Sequence, residues 1–307
     1  MPNTPPLSQI LLELSDAIEE LALLLAKQKA IDNEVFIKQF SLLAKKHLTY
    51  SHDNTTEKTI SPARIKSKHR KDYLRNWLKE RKIFVGKAID NLRVDEELYR
   101  VADFLTDHYR QLESFYKQLK RNQNIKKDFI ARTNNSTIRY IRWWAEMLYK
   151  NKLIDSFDFL DKNQIDIDIA QIHKATYFIN GYWLEILLRR ELAKILRANF
   201  DKIHSFDVLT HVELVKPTRK SSELDLLLML NNEVYWFECK SGDIGKYYKV
   251  FDYHHRLLRI NPEHSLLVVP MMKMHQAQAA MKNAGMTMLY ATELDLQLPL
   301  ILFSNSE

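Results

Sequence analysis

The stretch of residues 223–240 constrains the fold of this chain more than any other. It reads ELDLLLMLNNEVYWFECK, in which two runs of strand-forming residues are joined by Asn231 and Asn232. After glycine, asparagine is the residue that best tolerates a positive φ, so the pair predicts a two-residue turn. We therefore predict a β-hairpin in which residue 230 pairs with residue 233.

The register of this hairpin predicts where its charged side chains lie. Asp225 falls opposite Glu238, and Glu223 falls opposite Lys240. Since side chains alternate between the two faces of a strand, all four are expected on one face. The other face is predicted to be core. Its residues are Leu224, Leu226, Leu228, Leu230, Tyr235, Phe237 and Cys239.

Two opposed carboxylates favour a cation between them. Asp225 and Glu238, with Cβ atoms roughly 5 Å apart, repel each other and destabilise the sheet unless a positive charge intervenes. Oxygen ligands of this kind suit Mg²⁺ or Mn²⁺. Lys240 is expected at the rim, where it holds or deprotonates a water and offsets charge on a reacting phosphate. The pattern predicts metal-assisted phosphodiester hydrolysis, with Glu223 as a further catalytic candidate.

A simpler interpretation of these charges remains open. Charged residues are common at solvated strand ends, and a lysine near a glutamate is often a weak surface ion pair. The combination of Asp225, Glu238 and Lys240 on strands with an apolar far face favours the catalytic interpretation. The alternative is a catalytically silent nucleic-acid-binding or scaffold protein that keeps a nuclease fold.

The spacing of Asp225 from the Glu238-Cys239-Lys240 triplet resembles the signature of the PD-(D/E)XK nuclease superfamily. The resemblance implies a core of order α-β-β-β-α-β and a divalent-metal-dependent nuclease acting on DNA or RNA.

Two further motifs narrow this resemblance. FINGYWLE (178–185) and ECKSG (238–242) resemble the nuclease domain of the ancillary effectors of type III CRISPR systems, which implies a role in prokaryotic antiviral defence. The similarity covers about residues 177–300. It implies that Glu185, on the first core helix, helps to complete the metal site. Without this resemblance, the sequence predicts that Glu185 is a solvated helix residue that pairs with Arg189.

The first half of the chain differs from those effectors. They join the nuclease to a CARF sensor, a Rossmann-like domain that binds cyclic oligoadenylate, whereas residues 1–176 show helical periodicity and hold a single glycine. We predict an α + α/β protein, with a basic helical domain at 1–176 and a nuclease domain with a central mixed sheet at 177–307. The elements expected in the second domain are a helix (177–198), three strands (207–215, 223–230, 233–240), a helix (244–259), a strand (265–270), a helix (272–284) and a strand (286–291).

Charge divides the chain in the same way. Residues before Tyr177 carry 31 Lys and Arg against 24 Asp and Glu, whereas the remainder carries 15 of each. The surplus predicts contacts with nucleic-acid phosphates, for which Arg70, Lys71 and Arg75 are the candidates. In the second half, Lys246, on the helix expected after the hairpin, is a further candidate because it lies near the motif. The alternative is an ordinary solvated helix face.

Three other functions stay open for the first half. Residues 133–148 fit the recognition helix of a helix-turn-helix. The sequence RIKSKH (64–69) fits the Arg-x4-His spacing of HEPN ribonucleases, although chance matches are expected. The amphipathic segment 8–28 suits docking to a larger defence or repair assembly. A homodimer is a separate alternative, to which no segment is assigned.

Composition excludes several other classes. Five glycines form no phosphate-binding loop, and the single cysteine, Cys239, excludes an internal disulfide and a multi-cysteine metal cluster. No apolar run approaches the roughly 20 residues of a membrane span, and the start lacks a basic signal-peptide region. We therefore expect a cytoplasmic protein.

Overall fold

A computed structural model describes residues 68–69, 71–122, 129–132, 136–161, 164–216, 219–272 and 274–303. Contacts divide the chain into two compact units, 1–60 and 61–307, and all described residues belong to the second. The predictions for the segments 8–28 and 133–135, for Arg64 and for Arg70 fall outside the described residues.

The described part contains the following elements. The helices are α1 (Tyr73–Glu80), α2 (Glu96–Asp107), α3 (Tyr109–Asn122), α4 (Ile138–Lys150), α5 (His173–Tyr177), α6 (Trp183–Ala198), α7 (Tyr248–Leu258), α8 (Met274–Ala284) and α9 (Leu294–Phe303). The strands are β1 (Phe84–Val85), β2 (Phe129–Arg132), β3 (Ile154–Phe159), β4 (Gln164–Ile169), β5 (Phe206–Lys216), β6 (Arg219–Leu230), β7 (Glu233–Cys239), β8 (Ser265–Val269) and β9 (Thr287–Tyr290).

The described strands form a larger, mixed sheet and a smaller, antiparallel one. Six strands lie in the order β1-β5-β6-β7-β8-β9. The pairs from β1 to β7 are antiparallel, and β7, β8 and β9 run parallel. The predicted central mixed sheet is thus confirmed. Three strands form the second sheet, in the order β2-β4-β3.

Apolar clusters cover both faces of the large sheet. Leu226, Leu228 and Leu230 belong to one cluster, which also contains residues of α2, α3, α4, α6 and α9. Leu227 and Met229, which alternate with them, belong to a second cluster with residues of α1, α7 and α8. The hairpin is therefore buried on both sides, as expected for a central pair of strands covered by helices.

The prediction that the first half is wholly helical was wrong for its described part. Strands β2, β3 and β4 lie there, and β1 joins the edge of the large sheet. The sequence QIDIDI of β4 alternates strictly, and Ile165, Ile167 and Ile169 are buried. This period of two is a strand signal that aspartate, an unfavourable strand residue, obscures.

Packing joins the residues on either side of position 176. Trp183, on α6, donates a 3.1 Å hydrogen bond to the hydroxyl of Tyr116 on α3 and stacks on Tyr109. All three side chains belong to the same apolar cluster. The domain boundary at residue 176 stays a prediction.

The order of elements predicted after residue 177 is confirmed. The helix, the three antiparallel strands, the second helix and the remaining strand–helix–strand run follow each other as expected. Helix α9 was not predicted; its sequence LDLQLPLILF is apolar and contains Pro299, so it carries no amphipathic pattern. Among the described residues, no helix combines the length and apolar character needed to cross a bilayer.

Candidate active site

The hairpin has the predicted turn and register. Asn231 and Asn232 have φ values of 50° and 75°, the left-handed conformation that a two-residue hairpin turn requires. Leu230 pairs with Glu233, and the pairing continues to Leu226 opposite Phe237. Asp225 and Glu238 are the next residues along this register, at the end of β7.

Lys240 lies between these two carboxylates. Its Nζ is 3.0 Å from Oδ2 of Asp225 and 2.7 Å from Oε2 of Glu238. The side chain is 16% exposed, so Lys240 occupies the interior of the site rather than the predicted rim. The positive charge expected between Asp225 and Glu238 is therefore supplied in this structure by an ammonium group.

Glu238 is almost fully enclosed. It is 3% exposed, and Oε1 accepts a 3.0 Å hydrogen bond from Nε1 of Trp236. Burial, reinforced by the charge of Asp225, raises the pKa of Glu238 to about 7, while Lys240 and Trp236 oppose the shift. Burial alone would lower the pKa of Lys240, but the two carboxylates raise it above its ordinary value.

The side-chain alternation breaks where the site lies. Leu226 and Leu224 belong to opposite clusters although they are two residues apart, so β6 changes face at Asp225. On β5, Thr210 pairs with Leu226 and Val212 with Leu224, which puts His211 opposite Asp225. His211 has a φ of 52°, which marks the same break in β5. The prediction that Leu224 shares a face with Leu226 was therefore wrong.

The same break separates Glu223 from Lys240. The pairing of β6 with β7 ends at Leu226, so it does not reach Glu223, whereas the pairing of β6 with β5 continues and puts Glu223 opposite Glu213. Its carboxylate lies 3.4 Å from Nδ1 of His211 and is 58% exposed. Contact with His211 lowers the pKa of Glu223. The prediction of Glu223 opposite Lys240 was wrong because regular alternation was assumed through the break.

Glu185 joins the site from helix α6. Its Oε2 lies 3.4 Å from Nδ1 of His211, and the hydroxyl of Tyr177 is 3.2 Å from the same nitrogen. The side chain is 12% exposed, and Oε2 has no hydrogen-bond partner among the described residues. Burial, followed by the charge of Asp225, raises the pKa of Glu185 well above its ordinary value. Burial and the charge of Asp225 thus disfavour the ionised form of a carboxylate whose Oε2 makes no hydrogen bond to the described residues.

The carboxylate oxygens of the site are ligands of the chemical type that a divalent cation prefers. Asp225, Glu238 and Glu185 supply hard oxygen ligands, and the orphaned oxygen of Glu185 is a buried acceptor that a cation would satisfy. Among the described residues, no three acidic, histidine or cysteine side chains form a preassembled metal cluster. The ammonium of Lys240 stands where the Asp225 and Glu238 carboxylates converge. Metal binding at this point therefore requires Lys240 to move.

The residues predicted to contact nucleic acid differ in their exposure and in their ion pairs. Lys246 is exposed on a short 3₁₀ turn, Ile244–Tyr247, which follows the site. Lys71 is exposed as well, whereas the guanidinium of Arg75 lies 2.9 Å from Asp90. The phosphate-binding role of Lys246, Lys71 and Arg75 stays a prediction.

Sequence reasoning missed several residues that surround the site. His211 lies beside Glu185, Tyr177 contacts His211, and Trp236 donates a hydrogen bond to Glu238. Lys120, from the first half of the chain, reaches Ser241 next to Lys240. Trp236 was detectable, since it precedes Glu238 by two positions on one strand face. Lys120 had no local signal because its contact spans 121 residues.

Comparison with known proteins identifies a shared fold. No protein-family model and no curated protein matches the chain. Protein VC1899 from Vibrio cholerae has a similar structure, with a TM-score of 0.54 and 16% identity over 98% of this chain and 82% of that one. Can2 from Sulfobacillus thermosulfidooxidans, in complex with cyclic tetra-adenylate, gives a TM-score of 0.53 and 15% identity.

The match to Can2 covers 73% of this chain and 59% of Can2, so the chain spans about three fifths of the length of that protein. At these identities the likeness concerns the fold and not the chemistry. Over the matched regions, this chain has the fold found in VC1899 and Can2.

Proposed function

We propose that this protein is a divalent-metal-dependent nuclease that hydrolyses phosphodiester bonds in DNA or RNA. The observation that carries the proposal is the convergence of Asp225, Glu238 and Lys240 at the end of β7, beside the unsatisfied carboxylate oxygen of Glu185. The order α6-β5-β6-β7-α7-β8 is the α-β-β-β-α-β order of the superfamily that the sequence resembles.

Each side chain has a defined task in this reaction. Asp225, Glu238 and Glu185 would hold Mg²⁺ or Mn²⁺, which supplies Lewis-acid activation of the phosphate and of water. The hydrolysis forms a bond between a water oxygen and phosphorus and breaks the bond from phosphorus to a sugar oxygen, which leaves with a proton. Lys240, displaced from between Asp225 and Glu238 when the metal binds, would place a positive charge where negative charge develops on the phosphate oxygens.

The residues around these groups fix their positions. Trp236 orients Glu238 through its indole N–H, and the main-chain N–H of Cys239 donates a 2.6 Å hydrogen bond to Asp225. His211 lies between Glu185 and Glu223, so we assign it and Glu223 to positioning the Glu185 carboxylate.

A role in prokaryotic antiviral defence follows from the same resemblance. The sequence resembles the nuclease domain of effectors that bind cyclic oligoadenylate through a separate sensor, and Can2, which shares the fold, was determined with cyclic tetra-adenylate bound. Control of this chain by such a nucleotide is therefore one condition to test.

The decisive assay incubates the full-length protein with supercoiled plasmid and with single-stranded RNA, each with Mg²⁺, Mn²⁺ or EDTA. Parallel reactions contain cyclic tetra-adenylate. We expect cleavage of at least one substrate that EDTA abolishes. Absence of cleavage with either metal, with and without the cyclic nucleotide, would favour the catalytically silent alternative.

A further inference from the structure

A second lysine lies beside the candidate site. Lys120, near the end of α3, is partly buried; its Nζ lies 2.6 Å from Oγ of Ser241 and 2.8 Å from the main-chain oxygen of Asn180. Ser241 directly follows Lys240, so Lys120 connects the first half of the chain to the loop that carries the site.

The surrounding contacts hold Lys120 in a fixed position. Ser241 Oγ donates to the Asn180 carbonyl at 3.0 Å and lies 2.9 Å from the hydroxyl of Tyr116. Gly181 has a φ of 138° within the kinked π-helical segment Phe178–Tyr182. A Cβ at Gly181 would lie 2.6 Å from Ser241 Oγ, so only glycine permits this close approach.

The charge of Lys120 is not neutralised by its neighbours. In the described part of the chain, its contacts are a carbonyl, a hydroxyl and the ring of Tyr116, and no carboxylate lies within ion-pair distance. An ammonium group has three N–H donors, and two of these are used. Lys240, by contrast, contacts two carboxylates. Burial, reinforced by the charge of Lys240, lowers the pKa of Lys120 to about 8.

A nucleic-acid phosphate supplies an anion that would neutralise this charge. We propose that Lys120, positioned by Ser241 and the Asn180 carbonyl, binds a backbone phosphate that neighbours the bond being cleaved. The inference rests on the proposed nuclease function. It makes the first half of the chain a part of the substrate site, because one of the two ammonium groups comes from α3.

The test compares Lys120→Met with Lys117→Met in the full-length protein. Lys117 lies one turn earlier on α3, is 60% exposed and pairs with Glu113, so it is a matched control. The probes are single-stranded 12-mers of the nucleic-acid type that the wild type binds, measured in Ca²⁺ at several salt concentrations. We expect Lys120→Met to weaken binding roughly tenfold and to reduce the salt slope by about 1, and Lys117→Met to change neither.

Phosphate scanning identifies the contact directly. In a series of 12-mers, each with one neutral methylphosphonate linkage, we expect one position beside the cleaved bond to weaken binding to the wild type and to have no further effect in Lys120→Met. Thermal melting of both variants reports folding. If Lys120→Met does not fold, the scan on the wild type still decides, since no sensitive position beside the cleaved bond would contradict the proposal.

The outcomes separate this inference from the proposed function. If the wild type cleaves while Lys120→Met keeps its affinity and salt slope, Lys120 has only a structural role and the inference is wrong. If the wild type binds the 12-mers but never cleaves them, the nuclease proposal fails. The methylphosphonate scan then decides on Lys120 alone: one sensitive linkage supports its phosphate contact, and no sensitive linkage contradicts it. If the wild type binds no nucleic acid, both are overturned.

Discussion

Asp225 makes two contacts through one oxygen, and these determine how its role is best tested. Oδ2 accepts hydrogen bonds from the main-chain N–H of Cys239 and from Lys240. Truncation to alanine would leave the N–H of Cys239 without that acceptor, at a cost of about 1–3 kcal/mol, whereas asparagine keeps an acceptor. We expect Asp225→Asn to abolish Mn²⁺ binding in calorimetry with little change in melting temperature. Asp252→Asn, an exposed carboxylate paired with Arg256, is the control.

Unchanged Mn²⁺ affinity in Asp225→Asn would show that Asp225 is not a metal ligand. Retention of the wild-type affinity by the Asp252→Asn control is required for the comparison, because it shows that loss of any surface carboxylate is not sufficient.

Lys240 affects metal binding and catalysis in opposite directions. Its ammonium group occupies the point where the Asp225 and Glu238 carboxylates converge, so it competes with a cation by charge. We expect Lys240→Ala to bind Mn²⁺ more tightly than the wild type but to cleave on the order of 10²-fold more slowly, since a transition-state contact is lost. Lys240→Arg should not restore the rate, because the planar guanidinium does not fit where a compact ammonium does.

Single-turnover cleavage in Mn²⁺ and substrate affinity in Ca²⁺ measure the two effects of Lys240 separately. Wild-type cleavage by Lys240→Ala would remove the mechanism proposed here. A loss of affinity with an unchanged cleavage step would make Lys240 a phosphate anchor.

At the scale of the element, the two turn asparagines of the hairpin are not equivalent. Asn231 Oδ1 accepts hydrogen bonds from the main-chain N–H groups of His204 and Ser205, and its Nδ2 donates to the carbonyl of Lys202. Asn232 has a positive φ and no such side-chain role among the contacts of the described residues. We expect Asn232→Gly to raise the free energy of unfolding by up to about 1 kcal/mol, and Asn231→Gly to lower it by about 1–3 kcal/mol.

Urea unfolding of both turn variants measures this difference. Equal effects of Asn231→Gly and Asn232→Gly would show that only backbone conformation matters at the turn and that the Asn231 side-chain contacts contribute nothing.

The hairpin was predictable because its information is local. Two adjacent asparagines between strand-forming runs fix both the turn and the register, and these place Asp225 beside Glu238. The change of face at Asp225 was not predictable, since it coincides with the left-handed His211 on a neighbouring strand and with the approach of Glu185 from α6. Long-range contacts of this kind leave no periodic signal in the sequence. The observed position of Glu223 therefore differs from the position that the alternating pattern predicts.

At the scale of the whole molecule, the basic surplus before Tyr177 predicts salt-dependent binding of nucleic acid. Lys71 is exposed, whereas Arg75 pairs with Asp90 and Asp72. We expect charge reversal of Arg70, Lys71 and Arg75 together to flatten the dependence of affinity on salt, with Lys71→Glu alone reducing the slope by about 1. An unchanged slope in fluorescence titrations of the full-length variants would identify these residues as a solvated face.

The predicted boundary at residue 176 has a direct experimental consequence. Trp183 of α6 lies in a cluster with Tyr109 and Tyr116 of α3, and Lys120 binds Ser241 beside the site. A fragment of residues 177–307 would expose this apolar surface to water, at about 25 cal/mol for each Å². We therefore expect the fragment to unfold at a lower urea concentration than residues 61–307, or to lack a cooperative transition.

Circular dichroism of the two fragments during urea unfolding measures this difference. Equal midpoints would establish residues 177–307 as an independently folding domain, in agreement with the boundary that the sequence predicted. A lower midpoint for 177–307 would mean that the part before residue 177 stabilises the fold that carries Asp225, Glu238 and Lys240. The contact between Lys120 and Ser241 would then belong to one cooperative unit, and α3 would be required for the geometry of the site as well as for its charge.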